Sequence, residues 1–298
     1  MSMIRHPAVY TATPARNLVP GAGGAVWYPL HGDFTAGIEG LEPLVEVGTP
    51  SGSVWGTPLV WTAQTANTTN GAIAEDDVDN LYNNSQLSLV GMAVGDQFIT
   101  CLRASYTIQP TGVASLWSHG KQNSTASQIG LNITSGQIPT FQHRSKGQTD
   151  GAYSATMTQA GGTAFSALRN AGIFALVMGV RPVSTTEVDV ELRASNGTDS
   201  VHYTITALDL MSDVGATELP GVSGGISMAN FVGLSIGFRN GASSPETFWG
   251  HAATSVGQIG DFAARKFATY DADRVADTLA SMLARPGEFP RTLCRDYT

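Results

Sequence analysis

The feature that most constrains this chain is a two-residue alternation repeated in short runs. In EVDVELRAS (187–195) the valines and Leu192 fall on one side, and Asp189 and Glu191 on the other. In SVHYTITAL (200–208) Val201, Tyr203 and Ile205 face one way, and His202, Thr204 and Thr206 the other. Period two is the period of a strand, and one apolar side with one polar side marks an antiparallel sheet with a wet face. The linking SNGTDS (195–200) carries an Asn-Gly turn signal, so the two runs read as a hairpin. Similar runs recur along the chain, among them QFITCLRAS (97–105), SQIGLNIT (127–134), IPTFQHR (138–144), GIFALVMGVRP (172–182) and FVGLSIGF (231–238). Gly, Asn, Ser and Pro separate them. Many short strands at this spacing predict an all-β fold, an antiparallel jelly-roll β-sandwich.

One segment departs from that period. In YDADRVADTLASMLARPGE, Val275, Leu279, Met282 and Leu283 recur at helical spacing. Asp271 or Asp273 suits the start, and Arg285-Pro286-Gly287 the stop. The spacing predicts one short C-terminal amphipathic helix over 271–284, packed on the sandwich. A shorter helical piece is expected near 167–171. Residues 1–25 hold three prolines and end in PGAGGA, which reads as an extended N-terminal arm. The sandwich is expected over 26–284, and residues 285–298 read as a C-terminal tail.

Charge excludes some functions. Only 13% of the 298 residues are charged, about half of the usual ~25%. The net charge is −8 and Lys and Arg form no run, so a footprint for a phosphate backbone is missing and no nucleic-acid partner is expected. No apolar run approaches the length of a membrane span, and the first residues lack the apolar core of a signal peptide. Cys101 and Cys294 are the two cysteines. Cys101 lies in an apolar strand-like run, so a buried free thiol is expected there. Sequons at Asn67, Asn83, Asn123, Asn132 and Asn196 read as chance in a chain rich in Asn, Ser and Thr.

The motifs that suggest chemistry are few. GLSIG (233–237) matches the G-x-S-x-G of serine hydrolases, but that motif needs a strand that turns at once into a helix. Here the alternation of Val232, Leu234, Ile236 and Phe238 runs straight through it, so Ser235 is expected on a strand. The six histidines are scattered without the spacing of a zinc site. Asp76, Asp77 and Asp79, beside Asn80, are candidate calcium ligands through their oxygens, although the spacing is not that of an EF-hand and a solvated acidic loop is favoured. No other cofactor is expected. A glycosidase needs two carboxylates across a cleft, and no local motif singles out a pair, so the expectation is a protein that is not an enzyme. Glycan binding favours exposed aromatic rings. Among the five tryptophans, Trp27, Trp117 and Trp249 lie in strand-like runs and suit the core. Trp55 and Trp61, in the loop-rich SGSVWGTPLVWTAQ, are the candidate ligand-binding residues.

The order of these pieces resembles the laminin-G-like, concanavalin A-like jelly-roll domains. VWYPLHGDF (26–34) resembles that family's opening strand. QFITCLRASYTIQPTGVASLWSHG resembles its first core pair, and IFALVMGVRPVSTTEVDVELRASNG its later hairpin. VGLSIGFRNGASSPETFWG and the terminal helix resemble its closing strands and helix, over roughly 26–284 in all. The family's calcium ligands have no residue-by-residue match here. Within that family, the low charge and Pro-rich arm look like a virion protein of a tailed bacteriophage, from tail fibre, baseplate or capsid surface. That resemblance implies a structural protein located in the virion, partnered by other virion proteins and by copies of itself, with host surface glycan as a ligand of its lectin-like domain. The alternatives it leaves are a decoration or assembly subunit without glycan binding, and a glycan-degrading jelly-roll enzyme.

Overall fold

The computed structural model describes residues 25–28, 45–47, 59–61, 71–73, 94–106, 113–123, 126–144, 153–169, 173–210, 234–237, 239–240, 245–246 and 257–294. They form the expected all-β sandwich. Across the first sheet the strands run β1 (Ala25–Tyr28), β17 (Gly257–Phe267), β5 (Gln97–Tyr106), β11 (Phe174–Pro182), β12 (Glu187–Ser195), β13 (Ser200–Asp209) and β10 (Thr158–Gly162), with β3 (Leu59–Trp61) also paired to β17. Across the second they run β2 (Val45–Val47), β4 (Gly71–Ile73), β14 (Leu234–Ile236), β6 (Ala114–Asn123), β7 (Ala126–Ile133), β8 (Pro139–Arg144) and β9 (Tyr153–Thr156). A small ribbon pairs β15 (Arg239–Asn240) with β16 (Pro245–Glu246). Every pairing is antiparallel. Neighbours such as β17, β5 and β11 come from distant parts of the sequence, because the chain crosses repeatedly between the sheets.

Alternation explains the packing. On β11, Phe174, Leu176, Met178 and Val180 point into the core between the sheets, where they join Leu102 of β5 and Leu131 and Phe141 of the second sheet. Ala175 and Val177 point the other way, into a second apolar cluster with Ile99, Cys101 and Trp27. Both faces of β5 and β11 are therefore buried, which is why FITCL and FALVMGV read as nearly continuous apolar runs. Fully burying one side chain of Val, Leu or Phe size contributes about 1.5–3 kcal/mol, so a strand buried on both faces is held twice.

The second cluster is covered by α2 (Arg274–Ala284). Its buried positions are Arg274, Val275, Thr278, Leu279 and Met282, with Leu283 partly buried beside them. The expected cap differs in detail. Asp273 occupies the cap position without a side-chain cap bond, and Asp271 Oδ1 instead accepts from Asp273 N at 2.9 Å. Residues 285–294, read from sequence as part of a tail, dock on the same face: Phe289 and Leu293 are buried, and Phe289 lies 5.6 Å from Trp27 between ring centroids. Arg265 Nη1 donates to Leu293 O at 2.6 Å, and the Thr278 and Thr292 hydroxyls meet at 2.8 Å. The shorter helical piece exists as α1 (Phe165–Arg169).

Other expectations resolve from the register. Ser235 pairs with Ile73 on one side and Ser118 on the other, so Leu234–Ile236 is a strand inside the second sheet and Ser235 sits on no hydrolase elbow. The sequence run FWGHAATSVGQIG (248–260) predicts a strand that ends at 260; β17 instead continues seven residues further to Phe267, past a register shift at Asp261, whose φ is 51°. The Asp261 carboxylate meets Arg103 Nε at 2.9 Å and accepts from Gly287 N at 3.1 Å. Cys101 and Cys294 are both free thiols, Cys101 buried. Trp27 and Trp117 are core residues, as expected; Trp249 lies outside the described residues. On the side of the second sheet opposite Leu131, Asn132 Nδ2 donates to Gln142 Oε1 at 3.1 Å, and Gln142 Nε2 to Gln128 Oε1 at 2.9 Å. All three are fully buried, so the Asn132 sequon is sealed inside a hydrogen-bonded row.

Candidate functional site

The outer face of the first sheet is divided. Helix α2 and residues 285–294 cover the part over β17, β5 and β11. The part over β12 and β13 carries the polar side of their alternation: Asp189, Glu191 and Arg193 on one strand, His202, Thr204 and Thr206 on the other. Along the boundary lies a groove of about 230 Å³. Its floor is the polar side of β11, β12 and β13, and its wall is Val275 of α2 and Tyr270 of the preceding loop. The groove exists because the helix covers only part of the sheet.

Register brings the charged groups together. Arg181 of β11 stands opposite Asp189 of β12, and the two form an ion pair. The second oxygen of Asp189, Oδ1, accepts from Ala207 N at 2.9 Å, where Ala207 has a φ of 51°. Glu191 Oε1 accepts from Arg193 Nε at 2.7 Å and lies 3.1 Å from His202 Nε2. The His202 contact is close in distance but lacks hydrogen-bond alignment, since His202 Nε2 makes no hydrogen bond. Over Arg181 lies the Tyr270 ring, 4.1 Å from the guanidinium carbon to the centroid. Tyr270 is 41% exposed. One face of the ring is therefore held by a cation while the rest of the residue meets solvent.

The loop that carries Tyr270 is anchored from the sheet. Gln97 Nε2 donates to Asp271 O at 3.2 Å, and Asp271 N donates back to Gln97 Oε1 at 3.3 Å. Arg274 donates to the same Oε1 and to Thr269 O, the latter at 2.8 Å. Gly179 lets the helix approach: a Cβ there would sit 2.7 Å from Val275 Cγ2. The groove thus has a rigid aromatic at its rim, neutral hydroxyls on its floor and carboxylates that are already charge-paired. That is an arrangement for orienting a polyhydroxylated ligand.

The residues selected from sequence fall elsewhere in the chain or outside what the structure describes. Trp55, Asp76, Asp77 and Asp79 lie outside the described residues. Trp61 is on β3, which pairs with β17 on the far side of β5 and β11 from the groove. Among the described residues no group of three or more His, Cys, Asp or Glu is placed to hold a metal ion, and no helix is long and apolar enough to cross a membrane. Sequence reasoning missed Tyr270, Arg181, Asp189, Glu191 and His202. A signal was present: the polar sides of the 187–208 hairpin were already readable, and SNGTDS fixes Ser195 opposite Ser200, hence Arg193 opposite His202.

No protein-family profile matches the chain, and no curated protein matches it. Similar solved structures include the Trypanosoma rangeli sialidase in complex with a difluoro-KDN ligand, at 10% identity and a TM-score of 0.49, covering 89% of this chain and 33% of the sialidase. The chain thus spans about a third of that enzyme's length. The alginate lyase Aly36B matches at 12% identity, covering 84% of this chain and 99% of the lyase, with a TM-score of 0.42. The CBM40 of Ruminococcus gnavus IT-sialidase, bound to α2,3-sialyllactose, matches at 14% identity over 74% of this chain and 97% of that one, with a TM-score of 0.38. At these scores the likeness carries nothing about ligand or reaction.

Proposed function

We propose that this chain is a glycan-recognising β-sandwich of a tailed-bacteriophage virion, and that the groove beside α2 is its sugar site. The observation that carries the glycan reading is Tyr270, half exposed at the rim and braced from one side by Arg181, above a floor of hydroxyl and carboxylate groups. Sugar faces stack on such rings while neighbouring acceptors and donors orient the hydroxyls. The virion setting rests on the resemblance in strand order and on the low charge. In that setting other virion proteins and further copies of the chain are the partners.

A second reading, a glycan-degrading enzyme, gains one observation: Asp189 and Glu191 share the groove. They stand two residues apart on one strand and so share one face of the sheet. Each is bound to an arginine, however, Asp189 to Arg181 and Glu191 to Arg193, and both stand on one strand rather than facing each other across a cleft. The binding reading is therefore preferred.

The test is a glycan array with the full chain, followed by titration of each hit against wild type and Tyr270→Ala. Hits that lose about tenfold or more affinity in the variant, as expected when a stacking ring of ~1–3 kcal/mol is removed, support the reading. Hits indifferent to Tyr270 place binding elsewhere. Release of reducing ends from a bound glycan moves the assignment to the enzyme.

A further inference from the structure

Resting on that reading, we infer that the groove takes a neutral sugar and rejects sugars that carry a carboxylate. A protein that recognises an acidic sugar offers its carboxylate a free guanidinium fork, which binds two oxygens at once. Among the described residues that line the groove, Arg181 is the permanent cation. Its guanidinium is committed twice, to Asp189 beside it and to the Tyr270 ring above it. Arg193, next along the strand, is turned to Glu191 at 2.7 Å. Arg181 is thus shared between a carboxylate and a ring, and Arg193, bonded through Nε, is not among the residues that line the groove.

The charge of the lining is of the wrong sign for an anion, with two carboxylates against one arginine. Asp189 and Glu191 lie in the floor. Asp271 follows Tyr270 directly, and Asp273 stands at the start of α2. The first turn of α2 does face the groove through Val275, and a helix N-terminus is worth about half a positive charge. That half charge and the Arg274 guanidinium are set against three carboxylates, Asp271, Asp273 at the cap position and Asp277 in the first turn. A ligand carboxylate would enter a site where carboxylates outnumber guanidinium groups. A neutral sugar meets no such penalty. Both contacts to Glu191 fall on Oε1, which leaves Oε2 to accept from a sugar hydroxyl, and Thr204 and Thr206 supply hydroxyls of their own.

The experiment uses matched pairs that differ by one acidic residue or by the acid alone: N-acetyllactosamine against its 3′-sialylated form, and galactose oligomers against galacturonate oligomers. Each is titrated calorimetrically against the full chain at low salt, in wild type, Tyr270→Ala and Glu191→Gln. The expected result is that a neutral member binds at least about tenfold tighter than its acidic partner, and that Glu191→Gln narrows the gap. An acidic member that binds equally or more tightly, and is lost in Tyr270→Ala, overturns this inference while leaving the groove as a sugar site. Silence across the whole panel, or binding of any member that ignores Tyr270, overturns the sugar site and the inference with it.

Discussion

Arg274 and Gln97 hold one another across 177 positions of sequence. The guanidinium is 1% exposed, donates to Gln97 Oε1 and Thr269 O, and lies 3.9 Å above the Phe267 ring. Through this contact the start of β5 fixes both the start of α2 and the loop that bears Tyr270.

Arg274→Ala should therefore destabilise the fold by about 2–4 kcal/mol, because it removes a buried charge-assisted bond to Gln97 and leaves a void over Phe267. Urea denaturation of the variant should show a lower midpoint at unchanged slope. A midpoint within about 0.5 kcal/mol of wild type would show that the helix is held by its apolar face alone.

Gly179→Ala addresses the approach of helix to sheet. The added Cβ meets Val275 Cγ2 at 2.7 Å, and a β-branched side chain has few rotamers to yield with. The helix must shift, at about 1–3 kcal/mol. Because the same displacement moves the groove wall, weaker sugar binding should accompany the lower melting temperature. Retention of both would mean that the wall is softer than its packing suggests.

His143 makes stability depend on pH. Burial holds it down at about 4 from 6.5, and it stacks on Phe141 at 6.0 Å between centroids. Below about 6.5 the unfolded chain takes up a proton that the folded chain refuses. The contribution of a neutral His143 is thus complete above 6.5 and is lost as pH falls toward 4, by about 1.4 kcal/mol per unit at most. His143→Phe should flatten that part of the stability profile in denaturant titrations at stepped pH. A variant whose profile keeps the wild-type slope would assign the acid sensitivity to other groups.

The two thiols should differ in reactivity. Burial first, then the nearby Asp261 charge, pushes the Cys101 thiol well above the ordinary thiol range. Cys294 is only partly buried. Maleimide labelling followed by mass analysis should modify Cys294 in the native protein and Cys101 only when denaturant is added. Equal labelling of both without denaturant would mean that residues 285–294 lift readily from the sheet.

The legible parts of this molecule were those that local periodicity determines. The hairpin of β12 and β13, the strand through Ser235 and the helix at Val275 all follow from residues close in sequence. The cover over β5 and β11 was written only indirectly, as apolar residues at consecutive positions such as Ile99 and Cys101, and was not used. The groove was illegible for a different reason. Tyr270, Arg181 and Gln97 meet through non-local register, and the chain offers no motif for such a meeting. A bulge at Asp261 hid the second half of β17 by interrupting its alternation.

The position of β17 has a consequence for synthesis. It lies between β1 and β5, yet about 150 residues separate it from the end of β5. A nascent chain that has emerged as far as β16 holds a first sheet with its interior strand missing, so β1 has no partner and β5 presents an open edge. Such an edge is where growing chains stick to one another. Folding of this sheet is therefore deferred until β17 leaves the ribosome, and no cut placed between β5 and β17 would yield a fragment with a closed sheet.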